Sequence, residues 1–351
     1  MITVTVKDPT GQYPIPNVAV FPETGALPPI TTGSSTCPTV PPVARTGANG
    51  TIGITAAAGA QVVAQIGKWR VAQPVPAGCQ ATSMTLKLPG SSAGGSVPAI
   101  AVSTGNADTL ECTLHRMGID GAVTVFQGAG GATATGAKPS SALWAAGGML
   151  PYDAVLLSCE GAATAGASPA NIATYAQGGG MVYAEHWQYS VFNAAPFTTQ
   201  NIATWTTGAN FLTGTANAVI ATTAVGAGLQ QWLPAGTLVN GELPMLNTEA
   251  AHNATLGTAS SLELAADANA SVPNAPLLFS WSEGGVGTAG GRIVYADFHI
   301  GSSSADYGTT AGATTVPAGA TYPSGCATET ALKPAELVFL YTLFEGLSCG
   351  N

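Results

Sequence analysis

The sequence is poor in charge. Asp, Glu, Lys and Arg make up only 8% of its 351 residues, against about 25% in ordinary soluble proteins. Nine basic residues face 18 acids, for a formal net charge of −9. No basic stripe exists, which excludes nucleic acid as a partner and disfavours an anionic membrane surface. No run of about 18 apolar residues occurs, so no membrane span is expected. No signal peptide opens the chain either. MITVTVKDPTG reads as strand and turn from the first residue, and export implies a leader removed before Met1. No CxxC pair is present, which removes zinc ribbons and thioredoxin-like chemistry. No internal repeat is visible, and histidine occurs only four times.

Apolar residues reach 46%, enough for a substantial core, and Gly, Ala, Ser and Thr take the place of the missing charges. Such a surface stays in water through hydroxyls and amides. It suits a secreted protein in a salty or acidic setting, or one covered by copies of itself or by partners, because few lysines means little entropy lost on packing. The six cysteines, Cys37, Cys79, Cys112, Cys159, Cys326 and Cys349, are even in number and widely spaced, which fits disulfides and an extracellular or cell-surface location. Sequential pairing (Cys37–Cys79, Cys112–Cys159, Cys326–Cys349) keeps each bridge within one structural unit.

Two domains are expected. Residues 1–92 alternate with period two between turn signals, as in ITVTVKD, NVAVFPE and ATSMTLKLP, and predict a β-sandwich. GSSAGGSVP is the linker. From residue 98 to 351 unbroken apolar strands alternate with helical stretches, which predicts a three-layer α/β domain with a mainly parallel sheet. Residues 193–275 are an irregular excursion expected to cover one edge of that sheet.

Ligands of open parallel sheets gather at the carboxyl ends of strands. There the chain places Ser103 and Thr104, then Ser158, Cys159 and Glu160, then Glu185, His186 and Trp187, and last Asp297 and His299. Two of the four histidines and several of the rare acids thus meet on one rim. The candidate catalytic residues are His186, His299, Glu185 and Glu160, and the candidate ligand-binding residues are Trp187, Tyr189 and Asp297. Imidazoles beside carboxylates suit a divalent transition metal, with His186 and His299 as its ligands. Without a metal, an acid–His pair can activate water. The plainer alternative is that both histidines are satisfied by neighbouring backbone and by Trp187. Cys159 is explained by a disulfide to Cys112.

YDAVLLSCEG, YAQGGGMVYAEHWQY and GGRIVYADFHIG resemble the class I glutamine amidotransferase-like fold, especially its trehalose-utilisation (ThuA-like) members. In that fold a GGG-V strand leads to the nucleophile elbow, where ThuA-like members carry histidine; the matching residue is His186, and a late G-R-V-Y strand delivers His299. The G-x-C-x-G nucleophile pattern is absent, so glutaminase activity is not implied. VTVKDPTGQYPIPNVAVFPE resembles carboxypeptidase regulatory-like (prealbumin-like) sandwiches. The two together are similar to secreted myxobacterial-type proteins.

Three functions stay open on the sequence. One is a secreted binding or assembly protein whose α/β domain is a degenerate scaffold, its partner a second copy of itself or an extracellular polymer. Another is an extracellular hydrolase, metal-dependent or not, working at His186 and His299. A third is a carbohydrate-binding module using Trp187, Tyr189 and Phe192.

Overall fold

The computed structural model describes residues 1–33, 38, 43–75, 83–128, 136–206, 216–245, 254–283, 291–300, 321–327 and 331–348. The first 87 residues form six strands: β1 (Ile2–Lys7), β2 (Ala19–Glu23), β3 (Thr51–Ile54), β4 (Gln61–Ile66), β5 (Trp69–Pro74) and β6 (Ser83–Lys87). They make two three-stranded sheets, β3-β1-β6 and β2-β4-β5. The alternation in ITVTVK turns Ile2, Val4 and Val6 inward. Leu86, Val20, Val62 and Ala64 join them in one apolar core.

The remaining strands are β7 (Ile100–Ser103), β8 (Val123–Gln127), β9 (Lys138–Pro139), β10 (Ala154–Leu157), β11 (Met181–Glu185), β12 (Ala203–Trp205), β13 (Ala216–Ile220), β14 (Leu243–Met245), β15 (Ala254–Leu256), β16 (Ser261–Ala266), β17 (Pro276–Ser282) and β18 (Arg292–Ala296). Between and after them lie helices α1 (Leu110–Arg116), α2 (Ser140–Trp144), α3 (Pro169–Gln177), α4 (Tyr189–Phe192), α5 (Ala224–Trp232) and α6 (Pro334–Gly346). Ten strands form one sheet in the order β14-β13-β16-β17-β18-β11-β10-β7-β8-β9, while β12 and β15 pair separately.

This sheet is mixed, its parallel strands grouped on one side. From β18 to β9 every pairing is parallel. From β14 to β18 every pairing is antiparallel. The stretch 193–275 is the reason: it supplies β13, β14 and β16, which extend the sheet sideways where a cover over its edge was expected.

Both faces of the parallel half are covered, as the unbroken apolar strands require. In β10, Ala154 and Leu156 face a core shared with α1, α6 and the N-terminal sheets. Val155 and Leu157 face a second core with α2 and α3, which also takes Phe192, Trp205 and Trp281. Trp69 of β5 lies 4.4 Å, centroid to centroid, from Phe344 of α6, so the first core runs without a break from the small sheets into the large one. Three glycines precede β11; a Cβ on Gly180 would stand about 2.2 Å from the Tyr175 ring, so only glycine lets α3 turn so tightly into the strand.

The rare charges lie inside. Lys68 pairs with Asp153, and Arg116 with Glu336, all four side chains almost fully buried. Arg292 bridges Glu263, at 2.5 Å, and Glu345. No described helix is long and apolar enough to cross a membrane.

Among the described residues a disulfide joins Cys112 of α1 to Cys326, 214 residues away. This overturns the expected Cys112–Cys159 and Cys326–Cys349 bridges and leaves Cys159 a buried free thiol. Cys37, Cys79 and Cys349 lie outside the described residues. Those two pairings failed because the fold brings α1 beside Cys326, which no local signal encodes.

Two outcomes are expected. Non-reducing peptide mapping should recover Cys112 linked to Cys326, and a Cys112–Cys159 peptide would contradict the fold. Lys68→Ala should cost about 3–5 kcal/mol in urea unfolding, because it leaves the Asp153 carboxylate buried without its cation.

Candidate functional site

In chain order the parallel half grows from β7 to β8 on one side, then to β10, β11 and β18 on the other. The strand order therefore reverses between β7 and β10, where a parallel sheet opens a crevice at its carboxyl edge. Cys159 stands there, two residues past β10. Its carbonyl accepts hydrogen bonds from the backbone N–H groups of Ala107, at 3.0 Å, and Asp108, at 3.3 Å. The loop that donates them comes so close that a Cβ on Gly105 would lie about 2.1 Å from the Cys159 carbonyl oxygen.

His186 follows β11 directly, and its φ of +36° is in the left-handed region. Four other described non-glycine residues have positive φ, and all four are asparagine. Asparagine tolerates this conformation because its short side chain bonds locally; for a histidine it is strained and must be held by its surroundings. Part of the hold is Tyr295 of β18, whose hydroxyl donates to the His186 carbonyl at 2.6 Å and lies 2.9 Å from the Asp297 carboxylate.

His299 reaches the same point from the loop after β18. Its Nε2 is 3.1 Å from His186 Nδ1, and Cys159 Sγ is 3.4 Å from that same nitrogen. Cys159, His186 and His299 are all buried, and their three ligating atoms lie within 4.8 Å of one another. Three adjacent strand ends thus deliver one thiol and two imidazoles to one spot.

Carboxyls lie beneath. Glu185 is fully buried; burial first, then the Asp108 carboxylate, push its carboxyl well above the ordinary range, and a hydrogen bond to Asp108 acts the same way. Its Oε2 accepts the Cys159 N–H at 3.2 Å. Asp108 in turn accepts the N–H of Ile300 at 2.6 Å and that of Thr109 at 2.7 Å. Asp108 thereby ties the start of α1 to the His299 loop. Burial alone pushes His299 down to about 4, which leaves it neutral at neutral pH. Burial pushes Cys159 up to about 12 against the backbone N–H groups of Trp187 and Gly161, which favour the thiolate. Unassisted, Cys159 is a thiol and a poor nucleophile.

The other expected residues are spread around this centre. Asp297 is fully buried and bonded to Tyr295. Glu160 is buried beside Gly128, with a carboxylate oxygen about 2.8 Å from where a Cβ on that glycine would stand. Trp187 and Tyr189 are half-buried, ring centroids 5.9 Å apart, and Tyr189 continues to Trp205 at 5.7 Å, while Phe192 is packed into the core. Sequence reasoning missed Asp108 and the free state of Cys159. Asp108 stands just before Thr109, the N-cap of α1, where an acid is commonplace in sequence.

No protein-family model matches the chain, and no curated protein matches it. A solved structure described as cytoplasmic protein STM1381 from Salmonella typhimurium LT2 is similar over 57% of this chain and 86% of that one, at 10% identity and a TM-score of 0.34. A likeness that slight carries no argument about fold or function.

The neutral His299 makes stability depend on pH. Its folded value of about 4 lies below the ordinary 6.5, so the unfolded chain binds the proton first, and stability present above 6.5 is lost as the pH falls towards 4. Glu185, raised in the fold, acts in the opposite sense. Chelator-treated wild type should therefore lose about 3 kcal/mol more than His299→Gln between pH 7 and pH 4 in urea unfolding, with Glu185 common to both. Equal losses would refute a buried neutral His299.

Proposed function

We propose that this is a secreted or cell-surface protein in which a prealbumin-like sandwich, residues 1–92, is joined to a ThuA-like or amidotransferase-like α/β domain from residue 98 on, and that the rim of the α/β domain works as a hydrolytic centre. The observation that carries the reading is His186. A left-handed histidine at the end of a central strand is a costly feature, about 1–3 kcal/mol, of the kind that concentrates at active sites. Its imidazole meets a second, neutral imidazole at 3.1 Å. A neutral imidazole has a lone pair with which to accept a proton from water, or to hold a metal ion that activates the water instead. The buried carboxyl pair below, Glu185 and Asp108, holds the Cys159 loop and the His299 loop from behind, through the Cys159 and Ile300 N–H groups. The Cys112–Cys326 bridge supports an oxidising compartment.

A second reading is favoured by a different observation. With 8% charge, the outer surface suits self-association, and in an assembly protein the rim would be a scaffold element only.

The readings separate on purified wild type, His186→Asn and His299→Gln. Asparagine accepts the left-handed backbone, so His186→Asn should keep the fold while removing the imidazole. On nitrophenyl esters and nitrophenyl glycosides the hydrolase reading expects turnover by wild type and a loss of at least about 100-fold in each variant, the scale of a general-base contribution. Absence of turnover on every substrate, with filaments or sheets in negative stain, would replace it with the assembly reading.

A further inference from the structure

We propose that Cys159, His186 and His299 form a three-ligand site for a borderline-soft transition metal ion, with zinc(II) as the natural fit and a fourth position left for water or substrate. The inference deepens the hydrolytic reading of the same rim and rests on it for the role of that fourth position; the binding of the ion itself does not depend on it.

The first argument is one of valence. His186 Nδ1 faces two polar atoms at once, Cys159 Sγ at 3.4 Å and His299 Nε2 at 3.1 Å. An imidazole nitrogen carries either one proton or one lone pair, so Nδ1 cannot make a good hydrogen bond to both neighbours at once. Three buried side chains are brought to this point, and one of them costs backbone strain. A cation at the centre uses one lone pair from each and satisfies all three together.

The second argument is size. For zinc bonds of about 2.05 Å to nitrogen and about 2.3 Å to sulfur, a tetrahedron has edges of about 3.3 Å between two nitrogens and about 3.6 Å between sulfur and nitrogen. The observed separations of 3.1 and 3.4 Å are both shorter by about 0.2 Å, a shift that small side-chain rotations supply.

The third argument is the surrounding shell. Metal thiolates are favoured by nearby backbone N–H groups, and those of Trp187 and Gly161 act on Cys159 in that sense. The backbone around all three ligands is fastened: Cys159 N–H to Glu185, the His186 carbonyl to Tyr295, and Ile300 N–H to Asp108. The donor set also narrows the ion. One sulfur and two imidazoles suit zinc and its neighbours, whereas calcium and magnesium want oxygen. Three protein ligands, not four, is the number found in catalytic sites.

The test uses the full chain, stripped with chelator and titrated with cobalt(II) alone. The expected result is one equivalent bound, with the visible bands of a four-coordinate ion and a sulfur-to-cobalt charge-transfer band in the near ultraviolet. Cys159→Ser should abolish that charge-transfer band, and His299→Gln should weaken binding by at least about 100-fold. No cobalt bound, or a band that survives Cys159→Ser, overturns the site. If Cys159→Ser fails to fold, X-ray absorption on cobalt-loaded wild type decides: a shell of one sulfur with nitrogen supports the centre, and a shell of oxygen and nitrogen alone rejects it. Cobalt binding without turnover on any ester or glycoside removes the hydrolytic reading and keeps the metal centre. Turnover that survives chelation and Cys159→Ser keeps the hydrolytic reading and overturns the role given to the fourth position.

Discussion

The Asp153 carboxylate is the point on which the arrangement depends. It sits one residue before β10 and is almost fully buried. One oxygen receives Lys68, from the turn between β4 and β5, and also the Gly33 N–H at 3.1 Å; the other receives the Ala99 N–H, just before β7, at 2.7 Å. A single acid thus fastens the small sheets, an early loop and the starts of the two central strands. Those two strands flank the crevice, so their starting register decides where their far ends lie. Ser103 comes level with Leu157, and the next residues of β10 carry Cys159 into the crevice. The ammonium group and the backbone N–H donors replace the water that the carboxylate gives up, and without them its burial would be prohibitive.

The low charge of the chain takes on a different meaning in three dimensions. Lys68, Arg116 and Arg292, out of nine basic residues, are spent on interior or half-interior pairs. The surface is nonetheless not greasy: among the described residues the large exposed apolar side chains are Met1, Leu150, Val219 and Val239. Small and hydroxylated residues cover the outside, and ions act as internal fasteners between segments far apart in sequence. Arg116 and Glu336 are separated by 220 positions. That is a division of labour by position, with composition alone giving only half of it.

Local patterns carried much of the fold. The alternation in ITVTVK, the continuous apolar runs AVLL and MVYA, and the polar residues just after them placed the strands and the rim, because strand periodicity and strand ends are short-range features. His186 and His299 came together because parallel strands end at one edge. What stayed hidden was pairing across distance. The mixed half of the sheet needs β13 and β16 to return beside β17, and nothing in their short apolar runs says which way they point. The disulfide needs α1 beside Cys326. Cys159 was read as a bridge partner when its neighbours in space are two imidazoles, and the error lay in choosing a partner by sequence distance. Asp108 looked like an ordinary acid at a helix start, and only the fold puts it under Glu185.

The outermost strands of the large sheet, β9 and β14, are short, and each contains a proline: Pro139 in one and Pro244 in the other. Proline offers no N–H to a newcomer, and a strand of two or three residues offers little ladder to extend. Lys138 adds a charge to one of these margins, its ammonium over the Phe126 ring. Among the described residues, both borders of the sheet are therefore poor templates for strand addition. These borders disfavour propagation by continuing the sheet from molecule to molecule, as amyloid-like ribbons and donor-strand fibres do. An array built without extending the large sheet is a tiling of side-chain faces, which keeps each subunit's fold separate and lets the array come apart without unfolding its members.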